Sequence, residues 1–211
     1  MSIVKFKVEF ISKDAPCDER ISQLCDWCFR FNEYGLTPRL SGSGRSLGNL
    51  SFRIEVGKPA FIITGSALDS KEKLSREDLV KVVKSDWKRK IVFAEGQRDP
   101  SSESMMHYEI YQRREEVGAI FHGHSKVITV NARLLGLPET DREVLSGTTE
   151  LLEEVMKILD KGNFLVMKNH GFLSLGKTMD EAGNLALEVL EKAKKMKLSY
   201  PPTSDAKRDK E

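Results

Sequence analysis

The 211-residue sequence has no apolar run near the ~20 residues that a membrane-crossing helix needs, few cysteines and no marked surplus of either charge. Each scarcity closes a class. Without such a run, no membrane partner is expected. The three cysteines, Cys17, Cys25 and Cys28, are odd in number and crowded near one end, whereas a disulfide framework is even and spread through the chain. Cys25 and Cys28 form C-x-x-C, but a zinc ribbon needs a second pair that the sequence does not hold. A thioredoxin-like motif would follow a strand, and CDWCFRF reads as helix, so plain reduced thiols are expected. The charge of +2 is the remainder of 34 basic and 32 acidic residues, which argues against nucleic acid or an anionic membrane as a main partner. The basic stretch Lys84 to Lys90 is broken by Asp86 and Trp87 and reads as a solvated turn. The opening MSIVKFKVEF alternates apolar with polar residues and lacks a signal peptide's apolar stretch, so a cytoplasmic location is expected.

What is present is a regular alternation of short elements. Ile21, Leu24, Cys25 and Cys28 fall at helical spacing and predict a helix from about Asp18 to Asn32, stopped by Gly35 and Pro38. Leu40 to Asn49 is a glycine- and serine-rich loop. Ser51–Val56 and Ala60–Thr64 flank Gly57-Lys58-Pro59 as a hairpin, and Val80–Ser85 with Ile91–Ala94 form a second strand pair. Ser75 to Asp78 is a capping box that opens a short helix. In the second half, helices are expected over Ser102–Glu115, Lys126–Leu135 and Thr148–Leu159, and a long last one from Thr178 to about Leu198. Strands are expected at Gly118–His122, Phe164–Lys168 and Phe172–Leu175. Such interleaving predicts an α/β fold, with a mixed sheet covered by helices. Residues 1–198 are taken as one domain, and the charged tail 199–211 is expected to be mobile.

Histidine is also scarce, with four in the chain, and three stand at the ends of strand-like runs. His122 and His124 lie two apart in FHGH, so on an extended chain both point to one side. His170 ends another apolar run. Neutral imidazoles on rigid strand ends suit zinc, three ligands leaving a position open; an H-x-H pair also serves simply as two hydrogen-bonding histidines. Glu103 lies in Pro100-Ser101-Ser102-Glu103, a turn entering a helix. Either serine could cap that helix and Glu103 could favour its dipole; equally, the turn offers hydroxyls and free N–H groups to a phosphate. His107, one turn on, reads as a hydrogen-bonded core histidine or as support for a ligand. Gly171 to Thr178 matches G-x-x-x-x-G-K-[ST] letter for letter. Its interior is too bulky to cradle phosphate, however, and Thr178 with Glu181 already reads as a helix cap.

Taken in order, Gly48-Asn49-Leu50-Ser51, Ile63-Thr64-Gly65-Ser66, Pro100 to Glu103, Ala119 to Ser125, Gly147 to Leu151 and Asn169-His170-Gly171 resemble the class II aldolase and adducin family, over about Ile21 to Leu198. The resemblance implies a three-layer α/β/α sandwich around a mixed, largely antiparallel sheet, assembled as a homotetramer with sites at subunit contacts. It implies a zinc ion held by His122, His124, His170 and Glu103, with Glu103 also moving a proton. It places a substrate phosphate on Ser46, Gly48, Asn49, Ser66, Ser101 and Ser102. The activity it implies is cleavage of a phosphorylated ketose into a dihydroxyacetone-phosphate-type fragment and an aldehyde. Alternatives on the same scaffold are a sugar-phosphate epimerase, a dehydratase and a non-catalytic adducin-like interaction module. Two departures stand out. Asn131 to Ser146 contains no tyrosine where such aldolases carry one, leaving Tyr200 on the tail as the candidate by location. Ala67 follows Ser66 where glycine is frequent.

Overall fold

The computed structural model describes residues 5–199. Eight strands form one sheet: β1 (Lys7–Ser12), β2 (Asn49–Arg53), β3 (Phe61–Thr64), β4 (Leu79–Asp86), β5 (Ile91–Glu95), β6 (Ala119–Gly123), β7 (Phe164–Met167) and β8 (Gly171–Gly176). Their order across the sheet is β1-β5-β4-β3-β2-β6-β8-β7. Only β1 with β5 pairs in parallel; every other neighbour is antiparallel. The alternating N-terminal residues thus become an edge strand. Five helices cover the sheet: α1 (Ile21–Glu33), α2 (Ser104–Arg113), α3 (Lys126–Val130), α4 (Thr149–Ile158) and α5 (Met179–Ser199).

Strand side chains alternate between two cores, as a pleated sheet dictates. On one face Phe52, Ile62, Phe121 and Phe172 pack with Leu24, Trp27 and Phe31 of α1, Ile128 of α3 and Ala182, Ala186 and Leu190 of α5. On the other, Phe61, Ile63, Ile120 and Leu173 pack with Met106 and Ile110 of α2 and Leu152 and Val155 of α4. The molecule is therefore an α/β/α sandwich with a mixed, largely antiparallel sheet. No helix among the described residues is long and apolar enough to cross a membrane.

The central strand β2 carries polar residues into the second core. Leu50 and Phe52 face α1, while Asn49, Ser51 and Arg53 alternate toward α2, and all five are buried. Ser51 Oγ lies 2.8 Å from both His107 Nδ1 and the Tyr111 hydroxyl of α2. Arg53 donates to four carbonyls, those of Val117, Lys58, Tyr111 and Arg114, at 2.7–2.8 Å. A buried guanidinium is tolerable only when its donors are so matched. These bonds hold α2 to the sheet, and with it Glu103 at the start of that helix.

Three local expectations are revised. The helix expected over Lys126–Leu135 ends at Val130 and continues as turns, because Val127 to Val130 are four successive β-branched residues, poor helix formers. The Asn131 amide also bonds back to the Val127 carbonyl. The capping box at Ser75 holds, with the Ser75 N–H donating to Asp78 Oδ2 at 3.1 Å, but it opens a single 3₁₀ turn that runs into β4. Strand β4 extends to Asp86, so the basic turn is confined to residues 87–90. Cys25 and Cys28 are free thiols inside α1, and burial pushes the Cys25 thiol up to about 11. The P-loop-like run is strand β8 followed by a cap: Thr178 Oγ1 accepts from the Glu181 N–H at 3.1 Å, and the Glu181 carboxylate from the Lys177 N–H at 2.8 Å.

Candidate metal centre and anion cavity

Strand β6 and the β7–β8 turn bring three histidines together. His122 sits in β6 opposite Asn49 of β2. His124 lies just past the strand end, where its N–H donates to the Leu36 carbonyl at 2.7 Å. His170 closes the turn between β7 and β8, its N–H on the Met167 carbonyl; Asn169 before it takes φ +54°, a conformation asparagine tolerates better than most residues. The ring centroids are 4.6, 5.1 and 5.0 Å apart, and one nitrogen from each ring lies within 4.8 Å of the others. Gly123 permits this approach. A Cβ there would lie 2.5 Å from the Phe172 ring of β8.

Glu103 faces the cluster. It occupies the position before α2, yet its carboxylate caps no backbone group of that helix. Instead Oε2 lies 3.1 Å from His122 Nε2 and accepts from Asn49 Nδ2 at 2.8 Å, while Oε1 lies 3.4 Å from His170 Nε2. Neither serine caps the helix: Ser101 Oγ accepts only weakly from the Glu103 N–H, at 3.5 Å.

The protonation states follow from the surroundings. His122 Nδ1 is 2.8 Å from the Phe172 carbonyl, which can only accept, so Nδ1 carries the hydrogen and Nε2 presents a lone pair. Burial, followed by the neighbouring His170, holds His122 well below the usual imidazole range. Burial, then His122 and His170, push His124 down to about 2. Neutral His122 therefore turns a lone pair toward an acceptor oxygen of Glu103 at 3.1 Å. Two acceptors at that distance repel unless a cation lies between or beside them. Glu103 Oε1 and His170 Nδ1, both buried, also lack hydrogen-bond partners among the described residues. Three clustered imidazoles, His122 and His124 of them held neutral, and an uncapped carboxylate fit a divalent ion, and the nitrogen-rich set suits zinc.

One cavity of about 280 Å³ opens onto this cluster. Its wall includes Ser46, Gly48 and Asn49 from the glycine-rich loop, Ser66 from the turn after β3, and Ser101 and Ser102 before α2. All the expected phosphate positions thus line the space that Glu103, His122, His124 and His170 face. Gly48 takes φ +74°, and a Cβ there would meet the His122 carbonyl at 2.6 Å. Asn49 is engaged through its amide with Glu103. Ser46 donates its hydroxyl to the Thr37 carbonyl at 3.1 Å. His107 lies outside the cluster, fully buried behind it, with Nδ1 on Ser51 and Nε2 without a hydrogen-bond partner among the described residues. Tyr200 and the tail fall outside the described residues.

Two cations line the cavity without having been expected: Arg45 and Lys71. Lys71 is only 2% exposed and its ammonium donates to the Ser46 carbonyl, the Ser46 hydroxyl and the Leu47 carbonyl at 3.0–3.2 Å. In the sequence it lies in the charged stretch Ser70 to Lys73, just before the capping box at Ser75, with no local pattern to single it out; only the way that stretch folds against Ser46 and Leu47 buries it.

The family model described as "Class II Aldolase and Adducin N-terminal domain" matches residues 22–198. The chain is similar to the 5-methylthioribulose-1-phosphate/5-deoxyribulose-1-phosphate aldolase of Rhodospirillum rubrum, 30% identical over 163 residues, 69% of this chain and 68% of that protein. It is similar to the L-fuculose phosphate aldolase of Methanococcus maripaludis, 34% identical over 106 residues, covering 44% of this chain and 57% of the relative. The matched stretch is thus little more than half of that relative's length. Among solved structures, an L-fuculose 1-phosphate aldolase superposes with a TM-score of 0.67 at 27% identity, covering 88% of this chain and 87% of that one.

Proposed function

Since the chain belongs to the class II aldolase and adducin family, we propose that it is a zinc-dependent aldolase cleaving a phosphorylated ketose into a dihydroxyacetone-phosphate-type fragment and an aldehyde. The observation that carries this reading is the buried Glu103 carboxylate, uncapped and turned onto His122 and His170 at the floor of the cavity. His122, His124 and His170 would hold the metal, with Glu103 as a ligand that substrate displaces. When bound, a divalent ion supplies Lewis acidity toward substrate oxygens.

The chain's own residues perform the rest. Asn49 fixes Glu103 Oε2, leaving Oε1 as the oxygen able to hold a proton. Cleavage of the carbon–carbon bond leaves an electron pair on the phosphate-bearing fragment, and Glu103 returns a proton to that carbon. Ser66, Ser101 and Ser102, with the backbone at Gly48, would orient the phosphate, while Ser46 and Asn49 hold their neighbours in place. Tyr200 is the proposed acceptor on the aldehyde side, taking the proton that the hydroxyl gives up as it becomes the aldehyde carbonyl. A homotetramer in the cytoplasm belongs to the same proposal.

The absence of a tyrosine from Asn131 to Ser146 favours, as second reading, loss of water or epimerisation on the same site. A non-catalytic interaction module has no use for a buried carboxylate set against three histidines. A panel of ketose 1-phosphates assayed for aldehyde release tests the proposal. Glu103→Gln should lower kcat by about 10²- to 10⁴-fold with zinc still held by the three histidines. A fully active variant removes Glu103 from its role, and turnover without carbon–carbon cleavage favours the second reading.

A further inference from the structure

Lys71 presents a buried ammonium with no carboxylate paired to it among the described residues. The ionisable group that acts most directly on it is the Cys28 thiol, which burial keeps neutral. Its three N–H groups are matched by two carbonyls and one hydroxyl of the 46–47 segment. Those oxygens satisfy its hydrogens but do not balance its charge, and an unbalanced buried charge is costly. A neutral donor would tie the loop equally well, so the charge itself asks for an explanation. The same segment is already fixed on its other sides: the Ser46 N–H donates to the Leu68 carbonyl and the Leu47 N–H to the Pro38 carbonyl, both at 2.8 Å. The Ser46 hydroxyl donates to Thr37 while accepting from Lys71. Ser46 therefore has no hydrogen left for a ligand, and it shares the cavity wall with Lys71.

We propose that Lys71 is the counter-charge and positioning residue of the anion subsite, acting through Ser46 and Leu47 to make the cavity prefer a doubly charged phosphate-type group over a neutral end of similar size. This rests on the reading of the cavity as a sugar-phosphate site. It differs from a structural strut in one respect: the positive charge, and not only the hydrogen bonds, sets the affinity.

The test is a calorimetric titration of inorganic phosphate into the zinc-loaded full chain, with Lys71→Met, Lys71→Gln and Lys71→Arg beside the wild type. Removing the charge in Met or Gln should weaken phosphate binding at least about tenfold, as loss of a charged partner does. Arg should return it to within about threefold of wild type. The KM for a ketose 1-phosphate should rise in step with kcat nearly unchanged, while turnover of the unphosphorylated ketose stays as it was. If the Met variant does not fold, the Gln variant, which keeps donors without charge, decides. Phosphate affinity unchanged in Gln, or no phosphate binding by the wild type, would overturn the inference. Lys71-dependent phosphate binding without any ketose cleavage would leave it standing and remove the aldolase reading instead.

Discussion

At Ala67 the backbone takes φ +59°, the left-handed region in which a Cβ is strained. The sequence departs there from the glycine frequent in the resembled family, yet the turn after β3 keeps the conformation that glycine serves. Ala67→Gly should therefore raise stability by about 0.5–1 kcal/mol, read as a higher denaturation midpoint; a fall would show that the strain is compensated. His107 offers a second residue-scale test. Burial pushes it down to about 4 from the usual 6.5, so in the folded chain it stays neutral. Above pH 6.5 it is neutral in both states and adds no pH dependence. Between 6.5 and about 4 the unfolded chain takes up a proton that the fold refuses, so stability drops as pH falls, by up to about 3 kcal/mol for this one group. His107→Asn should flatten the melting-temperature profile across that window, and an unchanged profile would show that His107 is not the group titrating.

Individual residues were unequally legible in sequence. His122 and His124 could be placed on one side of a strand because the period of two is geometric, and His170 because it ended an apolar run. Glu103 was ambiguous for a physical reason: a carboxylate in a first helical turn has a local use, and only the fold shows that α2 begins after it and that its oxygens turn to the histidines. Lys71 was invisible, since nothing in a lysine's neighbours in sequence tells that another loop will cover it.

At the scale of elements, the site depends on how closely β6 and β8 approach. The pairing of His122 with Leu173 and of Gly123 with Phe172 sets the histidine pair against the strand that follows His170. Gly123→Ala places a methyl group 2.5 Å from the Phe172 ring. A core that must shift to accept it loses about 1–3 kcal/mol, and a displaced His122–His124 pair should weaken zinc binding at the same time. Zinc affinity equal to wild type in a destabilised Gly123→Ala would separate the packing from the site. Seven of the eight strands, all but β1, and four of the five helices could be located from periodicity and turn signals. Helix α3 could not be bounded, because its apolar spacing continued where its β-branched residues could not sustain the helix. The hydrophilic side of β2 was likewise unreadable: Ser51 and Arg53 look like solvent-facing strand residues, and only α2 laid across them makes them buried anchors.

At the scale of the molecule, the fold class followed from the interleaving of elements, but the order of strands did not. That β1 lies in parallel beside β5, some eighty residues along, is a long-range pairing with no local signature. The chain's membership of the class II aldolase and adducin family joins a fold to a set of possible reactions, and function must be argued from the site. Here the site draws on β2, β6, the β7–β8 turn and the start of α2, so metal binding should stabilise the whole sandwich and not one loop: a ligand bound only by the folded state raises the melting temperature in proportion to the logarithm of its concentration.

The most direct test of the central claim is the zinc content of the purified chain, measured with its melting temperature, in wild type and in His122→Ala. The wild type should retain about one zinc ion per chain and melt at a lower temperature on chelation, and the variant should lose both the metal and the chelator sensitivity. A wild type that takes up no divalent metal, or a His122→Ala chain that holds zinc as tightly as wild type, would contradict it.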